Sequence, residues 1–306
     1  MKPYEKRQNV VVAFLNTQAG TGRVDSVAQR LGERCASEDL RLELTLGNVG
    51  ELPGVLDAAT RLGVDTVLVG GGDGTVSHAA SLLANRGLAL GILPLGTFNH
   101  FAKDLGIPLD LDEAVGVALA GPVERFDVGE LNGHVFVNNS SLGLYPLIVR
   151  LREQHPVRGP AKWAVAAWAI WRKTRHPLEL TVRLEIGGER AVHRTPIVMV
   201  SNNAYQIEGL DAASRQSLRD GVLGIYIVKG EARRRLLRLV WRIVRGRASR
   251  AELEVLTTEA ATIEPGQAGT PVDAVVDGEV VRFQSPLEYR IRPRALRVRV
   301  PPVPPP

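Results

Sequence analysis

The stretch Val67-Leu68-Val69 followed by Gly70-Gly71-Gly72-Asp73-Gly74-Thr75 leaves this chain few ways to fold. A short β-branched apolar run reads as a buried strand, and the glycines that stop it read as a loop opening a helix from about Thr75. Glycines accept φ > 0 and expose backbone N–H groups, so such a loop can wrap round a polyphosphate with the positive end of the helix aimed at it. Asp73 cannot help anion binding by its own charge; a carboxylate there suits a divalent cation that screens the phosphates, directly or through water. A glycine-rich turn between strand and helix is the plain alternative for Gly-Gly-x-Gly alone. The lysine of a P-loop is lacking, and the spacing is not that of a dinucleotide fingerprint.

Two neighbouring segments repeat the pattern. Val10 to Leu15 leads into Asn16-Thr17-Gln18-Ala19-Gly20-Thr21-Gly22, and Leu88 to Leu93 leads into Pro94-Leu95-Gly96-Thr97-Phe98-Asn99. The first third of the chain alternates strands at 10–15, 41–46, 66–69 and 88–93 with helices at about 24–37, 52–62, 75–85 and 98–104. That alternation predicts right-handed crossovers and a parallel sheet covered on both faces, with the ligand crevice at the carboxyl ends of the strands. Asn16, Gly72, Asp73 and Thr97 would converge there.

After Pro122 the pattern becomes strand-rich, with runs at 125–131, 134–139, 178–186, 190–201, 223–228, 252–257, 273–276, 279–283 and 287–292. Alternation such as Leu178 to Ile186 marks antiparallel strands with one wet face, which predicts a β-sandwich. The expected division is an α/β nucleotide-binding domain over 1–127, with a last strand within 293–300. A β-sandwich domain with inserted amphipathic helices follows over 128–292, and a disordered proline-rich tail over 301–306.

At this point the chain resembles the diacylglycerol kinase catalytic-domain family, which includes bacterial lipid kinases and is related to sphingosine, ceramide and NAD kinases. The resemblance rests on Asn16, Gly70 to Thr75, Gly96-Thr97-Phe98-Asn99 with Leu105-Gly106-Ile107-Pro108, Asp220-Gly221-Val222-Leu223, Asp277-Gly278-Glu279 and Pro293-Arg294-Ala295-Leu296-Arg297-Val298. It implies an NAD kinase/diacylglycerol kinase-like fold, in which the strand within 293–300 crosses back to complete the 1–127 domain and the 128–292 sandwich takes the acceptor, and transfer of the γ-phosphate of ATP, with Mg²⁺, to a lipid hydroxyl, diacylglycerol first among acceptors. A ceramide, a sphingoid base or another lipid is the alternative, and a non-catalytic nucleotide- or lipid-binding homologue the rival from another class.

The resemblance also implies roles. Asn16, Thr45, Gly70, Gly71, Gly72, Asp73, Gly74, Thr75, Gly96, Thr97 and Asn99 correspond to the nucleotide site, although a strand-end hydroxyl such as Thr45 also caps local backbone. An acidic pair faces the γ-phosphate across the interdomain cleft in this family, which assigns Glu279 as proton acceptor and Asp277 as orienting or metal-linked, with the reverse open. On local grounds Asp277-Gly278 is also a favoured hairpin turn. A structural Mg²⁺ would be held by Asp220 with the carbonyls of Ser217 and Val222; without the resemblance Asp220-Gly221 is a plain turn. His100 departs from the aspartate usual after Gly-Thr-x-Asn, which bears on how the acceptor is bound, and Thr17 from a common proline.

Composition adds the setting. A single cysteine, Cys35, excludes an internal disulfide framework and suits a reducing compartment. The apolar run after Lys2, Lys6 and Arg7 is too short for a signal-peptide core, and no stretch approaches the ~20 apolar residues that span a bilayer. Residues 150–175 carry seven Lys/Arg and one acid, and residues 229–250 nine Lys/Arg and one acid, so the rest of a +5 chain is acidic. All four tryptophans, Trp163, Trp168, Trp171 and Trp241, lie in these two segments.

On a helical wheel Arg234, Arg235, Arg238, Arg242 and Arg245 oppose an apolar side. Either each helix packs its apolar side on the sandwich, or the pair docks on an anionic membrane surface, where Trp and Arg are favoured. No nucleic-acid motif accompanies them. The expectation is a cytoplasmic protein peripherally attached to the inner face of the membrane, with a lipid substrate, no nucleic acid, and a homodimer left open.

Overall fold

The computed structural model describes residues 9–20, 22–84, 86–146, 149–150, 180–206, 215, 217–228 and 253–302. The two basic segments, apart from Arg150, and residues 303–306 of the tail lie outside these. The chain divides into two compact units, Met1–Phe126 with Arg294–Pro306, and Asp127–Pro293.

The first unit contains strands β1 (Val10–Asn16), β2 (Arg41–Gly47), β3 (Thr66–Gly71) and β4 (Ala89–Pro94), with helices α1 (Arg23–Ser37), α2 (Leu52–Arg61), α3 (Asp73–Leu83), α4 (His100–Asp104) and α5 (Leu111–Ala120). The strands are parallel in the order β2-β1-β3-β4. β3 and β4 are buried along their whole length, which is why they read as unbroken apolar runs. Side chains alternate across the sheet. Ala13, Leu15, Leu68 and Leu93 pack with Val27 and Leu31 of α1 and Val115 and Ala118 of α5. Cys35 is in the same cluster, a buried thiol whose pKa burial pushes up. β1 and β3 are neighbours, while β2 lies on the outer side of β1, so the order reverses between the ends of β1 and β3. Open α/β sheets take ligands at such a point.

The second unit begins within β5 (Val123–Leu131). It continues with β6 (His134–Phe136), β7 (Asn139–Gly143), β8 (Leu180–Ile186), β9 (Glu189–Thr195), β10 (Ile197–Asn202), β11 (Leu223–Val228), β12 (Leu253–Thr258), β13 (Ala260–Pro265), β14 (Pro271–Val276), β15 (Glu279–Gln284) and β16 (Leu287–Arg299). One antiparallel sheet runs β12-β11-β10-β7-β14-β15. Its partner runs β16-β13-β8-β9, with β5 and β6 alongside β16. Leu142, Val200, Leu223 and Ile225 of the first sheet meet Val182, Ile263, Leu287 and Tyr289 of the second in one core. The end of β16 lies in the first unit, where Arg297 and Val298 pair in parallel with Ala89 and Leu90 of β4.

Several expected boundaries are corrected. The run 190–201 is two strands in different sheets, broken at Pro196, which has no N–H to give a ladder. The run 134–139 divides between β6 and β7. β13 and α5 were not foreseen: α5 is capped by Asp110, whose side chain accepts from the Asp112 and Glu113 amides. β16 is one strand of 13 residues that keeps going through Arg294 at φ 53.

Candidate functional site

In the first unit the strand ends hold one another. Asn16, the last residue of β1, is buried and donates from Nδ2 to Thr75 Oγ1 at 2.7 Å, while its Oδ1 accepts from the Gln18 amide. Thr75, in the first turn of α3, is 5% exposed. A side chain at Gly71 would strike Thr75, and one at Gly70 would strike Leu15. A Cβ at Gly96 would lie 2.6 Å from Gly72 Cα and 2.8 Å from Asn99 Oδ1. The loops after β3 and β4 therefore touch through bare backbone.

This corrects the reason expected for the glycines. Gly70, Gly71, Gly72, Gly74 and Gly96 are absent from the residues with positive φ; Gly72 is extended at φ −85. At Gly70, Gly71 and Gly96 close approach, and not left-handed backbone, demands a missing side chain. The helix also begins earlier than expected, at Asp73, so Asp73 and Gly74 belong to the first turn of α3 and not to the loop.

Asp73 has a defined task. Its Oδ2 accepts from the Asn99 amide at 2.9 Å and its Oδ1 from the His100 amide at 2.6 Å. Asn99, at φ 52, closes a ring on Gly96, accepting from its N–H and donating to its carbonyl, both at 2.9 Å. Thr97 is exposed, and Phe98, 60% exposed, stacks on the His100 ring with centroids 5.6 Å apart. Thr45 is half-buried, two residues before the end of the edge strand β2. The structure thus gathers Asn16, Gly70 to Thr75, Gly96 and Asn99 into one hydrogen-bonded cluster, with Thr97 at its surface and Thr45 on a separate strand. The amides at the start of α3 have no acceptor within the helix, which leaves an anion-binding end.

In the second unit Asp277 and Gly278 join β14 to β15 with φ 47 and 95, the two left-handed residues of a tight hairpin. The Asp277 carboxylate accepts from three successive amides, Val137 at 2.8 Å, Asn138 at 2.8 Å and Asn139 at 3.1 Å. Glu279 is exposed at the first position of β15. At the other predicted position Asp220 is exposed, with its amide bonded to Asn203 Oδ1. The Val222 carbonyl accepts from the Asn203 amide, and Ser217 Oγ accepts from the Arg219 amide. No cluster of three or more His, Cys, Asp or Glu side chains suited to a metal occurs among the described residues.

The polar layer beneath both loops escaped the sequence. Asp127, fully buried, accepts from the Gly221 amide, and Asn202 Nδ2 donates to the carbonyls of Asp127 and Val137. Arg215 joins the same layer. Ser140 Oγ bonds the Tyr289 hydroxyl, whose pKa burial raises well above its usual range. The available signal was two doublets, Asn138-Asn139 and Asn202-Asn203, each breaking into otherwise apolar strand sequence.

An α/β unit with this strand-end cluster, followed by a two-sheet sandwich, defines an NAD kinase/diacylglycerol kinase-like two-unit fold. Residues 10–131 match the diacylglycerol kinase catalytic domain, and residues 150–300 match the YegS C-terminal NAD kinase beta sandwich-like domain. A Mycobacterium tuberculosis protein named "Diacylglycerol kinase" is 30% identical over 302 residues, covering 94% of each chain. An Escherichia fergusonii protein named "Probable lipid kinase YegS" is 29% identical over 275 residues, covering 83% of this chain and 84% of that one. The crystal structure of a Bacillus anthracis diacylglycerol kinase superposes with a TM-score of 0.68 over 98% of this chain and 99% of its own, at 20% identity, a likeness of fold alone. The chain belongs to the diacylglycerol kinase catalytic-domain family: it is a lipid kinase, a phosphotransferase with an alcohol acceptor, and kinase membership implies ATP as donor.

Proposed function

We propose that this lipid kinase moves the γ-phosphate of ATP to the primary hydroxyl of diacylglycerol, giving phosphatidic acid, with Mg²⁺ as cofactor. The observation that carries the reading is the open amide end of α3. Gly72 and Gly96 put no side chain over it, and Asp73 spends its carboxylate on the next loop. A polyphosphate fits such an end. Thr97, exposed beside it, and Thr45 complete the nucleotide contacts.

Phosphoryl transfer asks for placement, charge neutralisation and a base for the acceptor hydroxyl. Glu279 is the proton acceptor in this reading, because it is exposed, while Asp277 is committed to three amides and orients the turn. Mg²⁺ fits the hard oxygens of the 217–222 loop. The Asp220 carboxylate is exposed, and the carbonyl of Val222 has a second lone pair beyond its bond to Asn203, with the carbonyl of Ser217 as the third ligand. When bound, the cation supplies charge that holds this loop or screens phosphate.

The support for diacylglycerol is the mycobacterial relative, similar over nearly its whole length. His100, where the family usually has aspartate, favours a second reading in which another lipid, a ceramide or sphingoid base, is the acceptor. The basic, Trp-bearing segments support peripheral attachment to the inner face of the membrane. No helix among the described residues is long and apolar enough to cross it.

The test is ATP, Mg²⁺ and anionic vesicles carrying diacylglycerol, ceramide and sphingosine, with products identified by mass spectrometry and bound protein by sedimentation. Phosphatidic acid is expected, together with weaker sedimentation when Arg235, Arg238 and Arg242 become glutamate. Phosphorylation of ceramide or sphingosine alone would replace the acceptor, and no lipid phosphate at all would sink the reading. Sedimentation unchanged by the three charge reversals would remove the membrane role.

A further inference from the structure

Arg215 takes no part in the transfer as described, yet it is one of the few charged residues buried among the described residues of the sandwich, at 7% exposure. One guanidinium nitrogen, Nη1, donates to the carbonyls of Val137 at 2.6 Å and Asn202 at 3.0 Å, and Nη2 donates to Asn138 Oδ1 at 3.1 Å. The guanidinium lies over the Tyr205 ring, 5.5 Å from its centre. The Tyr205 hydroxyl accepts from Asn139 Nδ2, and the Tyr205 amide donates to the Tyr226 hydroxyl at 2.6 Å.

These contacts converge on residues 137–139, the same three whose amides hold the Asp277 carboxylate. The two sets of bonds use different atoms of one segment. Arg215 takes the carbonyl of Val137 and the side chain of Asn138, leaving their N–H groups for Asp277. The Asp277 amide returns a bond to the Asn139 carbonyl.

Taking a guanidinium out of water is costly, and only a full set of well-placed acceptors offsets it. A planar fork reaches several acceptors in fixed directions, which a lysine ammonium does not. An apolar side chain would fill the volume without fixing any carbonyl. A buried cation here therefore sets geometry.

We propose that Arg215 is a positioning residue for phosphoryl transfer. It fixes the peptide planes of residues 137–139, their amides fix the Asp277-Gly278 turn, and the turn fixes where Glu279 stands. This rests on the reading of Glu279 as the proton acceptor. Misplacing a reacting group by about 1 Å costs about 100-fold in rate.

The experiment compares the full-length wild type with Arg215→Lys and Arg215→Met. It measures kcat and KM for ATP on the vesicles described above, thermal melting, and residue-resolved amide hydrogen exchange at 137–139. Arg215→Met is expected to lose about 100-fold in kcat while KM for ATP, which reports on the other unit, changes by no more than about twofold. Exchange at 137–139 should quicken by about tenfold or more. Arg215→Lys should keep its melting temperature and recover part of the rate. Unchanged kcat, exchange at 137–139 unaltered, or rate loss that only tracks the unfolded fraction would overturn the proposal. If Arg215→Met does not fold, the lysine variant decides by the same readouts. If the wild type phosphorylates no lipid, the kinase reading fails by itself, and the exchange at 137–139 still shows whether Arg215 holds that segment.

Discussion

At Gly96 the demand for a missing side chain comes from one distance, 2.6 Å from a would-be Cβ to Gly72 Cα, with Asn99 Oδ1 close behind. Neither neighbour is the free end of a flexible chain, so Gly96→Ala must push the two loops apart. Overpacking of this kind costs about 1–3 kcal/mol, and the displaced loop should also lose nucleotide affinity. Gly32 in α1 is the contrast: a Cβ there meets nothing within 4 Å. Gly32→Ala should stabilise by about 0.4–1 kcal/mol through the unfolded chain. Urea titrations of both variants, read alongside nucleotide binding, check the pair; equal effects would contradict the close-contact account. The same residues show where a reading of glycines from sequence falls short. A run of glycines after a strand points to a phosphate loop, but left-handed backbone and two loops in contact look alike in a sequence. Asn99 carried no such ambiguity in outcome, since asparagine is one of the few side chains comfortable at positive φ.

At the level of the element, the Asp277-Gly278 hairpin matches its local reading as a turn. It is the two-residue turn that Asp-Gly favours, and it holds two carboxylates with different environments. Glu279→Gln should lower kcat by about 100- to 10,000-fold, as for loss of a general base. Being at an exposed position, it should leave stability within about 0.5 kcal/mol. Asp277→Asn places an N–H₂ group against backbone donors, so it should cost about 1–3 kcal/mol in stability as well as activity. Paired melting and rate measurements separate the two roles, and a stable Asp277→Asn protein would contradict the assignment of Asp277 to the turn. Strands and helices with one clear period were legible: β1, β3 and β4 as apolar runs, β2 as Leu42, Leu44 and Leu46 alternating with polar residues, and β8 as buried Val182 and Leu184 alternating with exposed Thr181 and Arg183. β13 was not, because Ala-Ala-Thr-Ile offers little contrast between its faces. Pro196 should have divided β9 from β10, since a residue with no N–H seldom lies inside a paired strand.

For the whole molecule, the fold class follows from a change of period: alternating strand and helix up to Pro122, then strand upon strand. Each half matches a separate domain description of one family. What the sequence hid is the buried polar layer of Asp127, Asn138, Asn202, Asn203 and Arg215, with half-buried Asn139 at its edge. Those residues are distant in the chain, and only the pairing of β7 with β10 and β14 brings them together. The account as a whole depends on a triphosphate seated on the first turn of α3. The most direct measurement is an amide-resolved NMR titration of the full chain with ATP and Mg²⁺. The largest shifts are expected at the amides of Gly72, Asp73, Gly74 and Thr75, with smaller ones at Asn16 and Thr97. Nucleotide that binds while those four amides stay unmoved would contradict it.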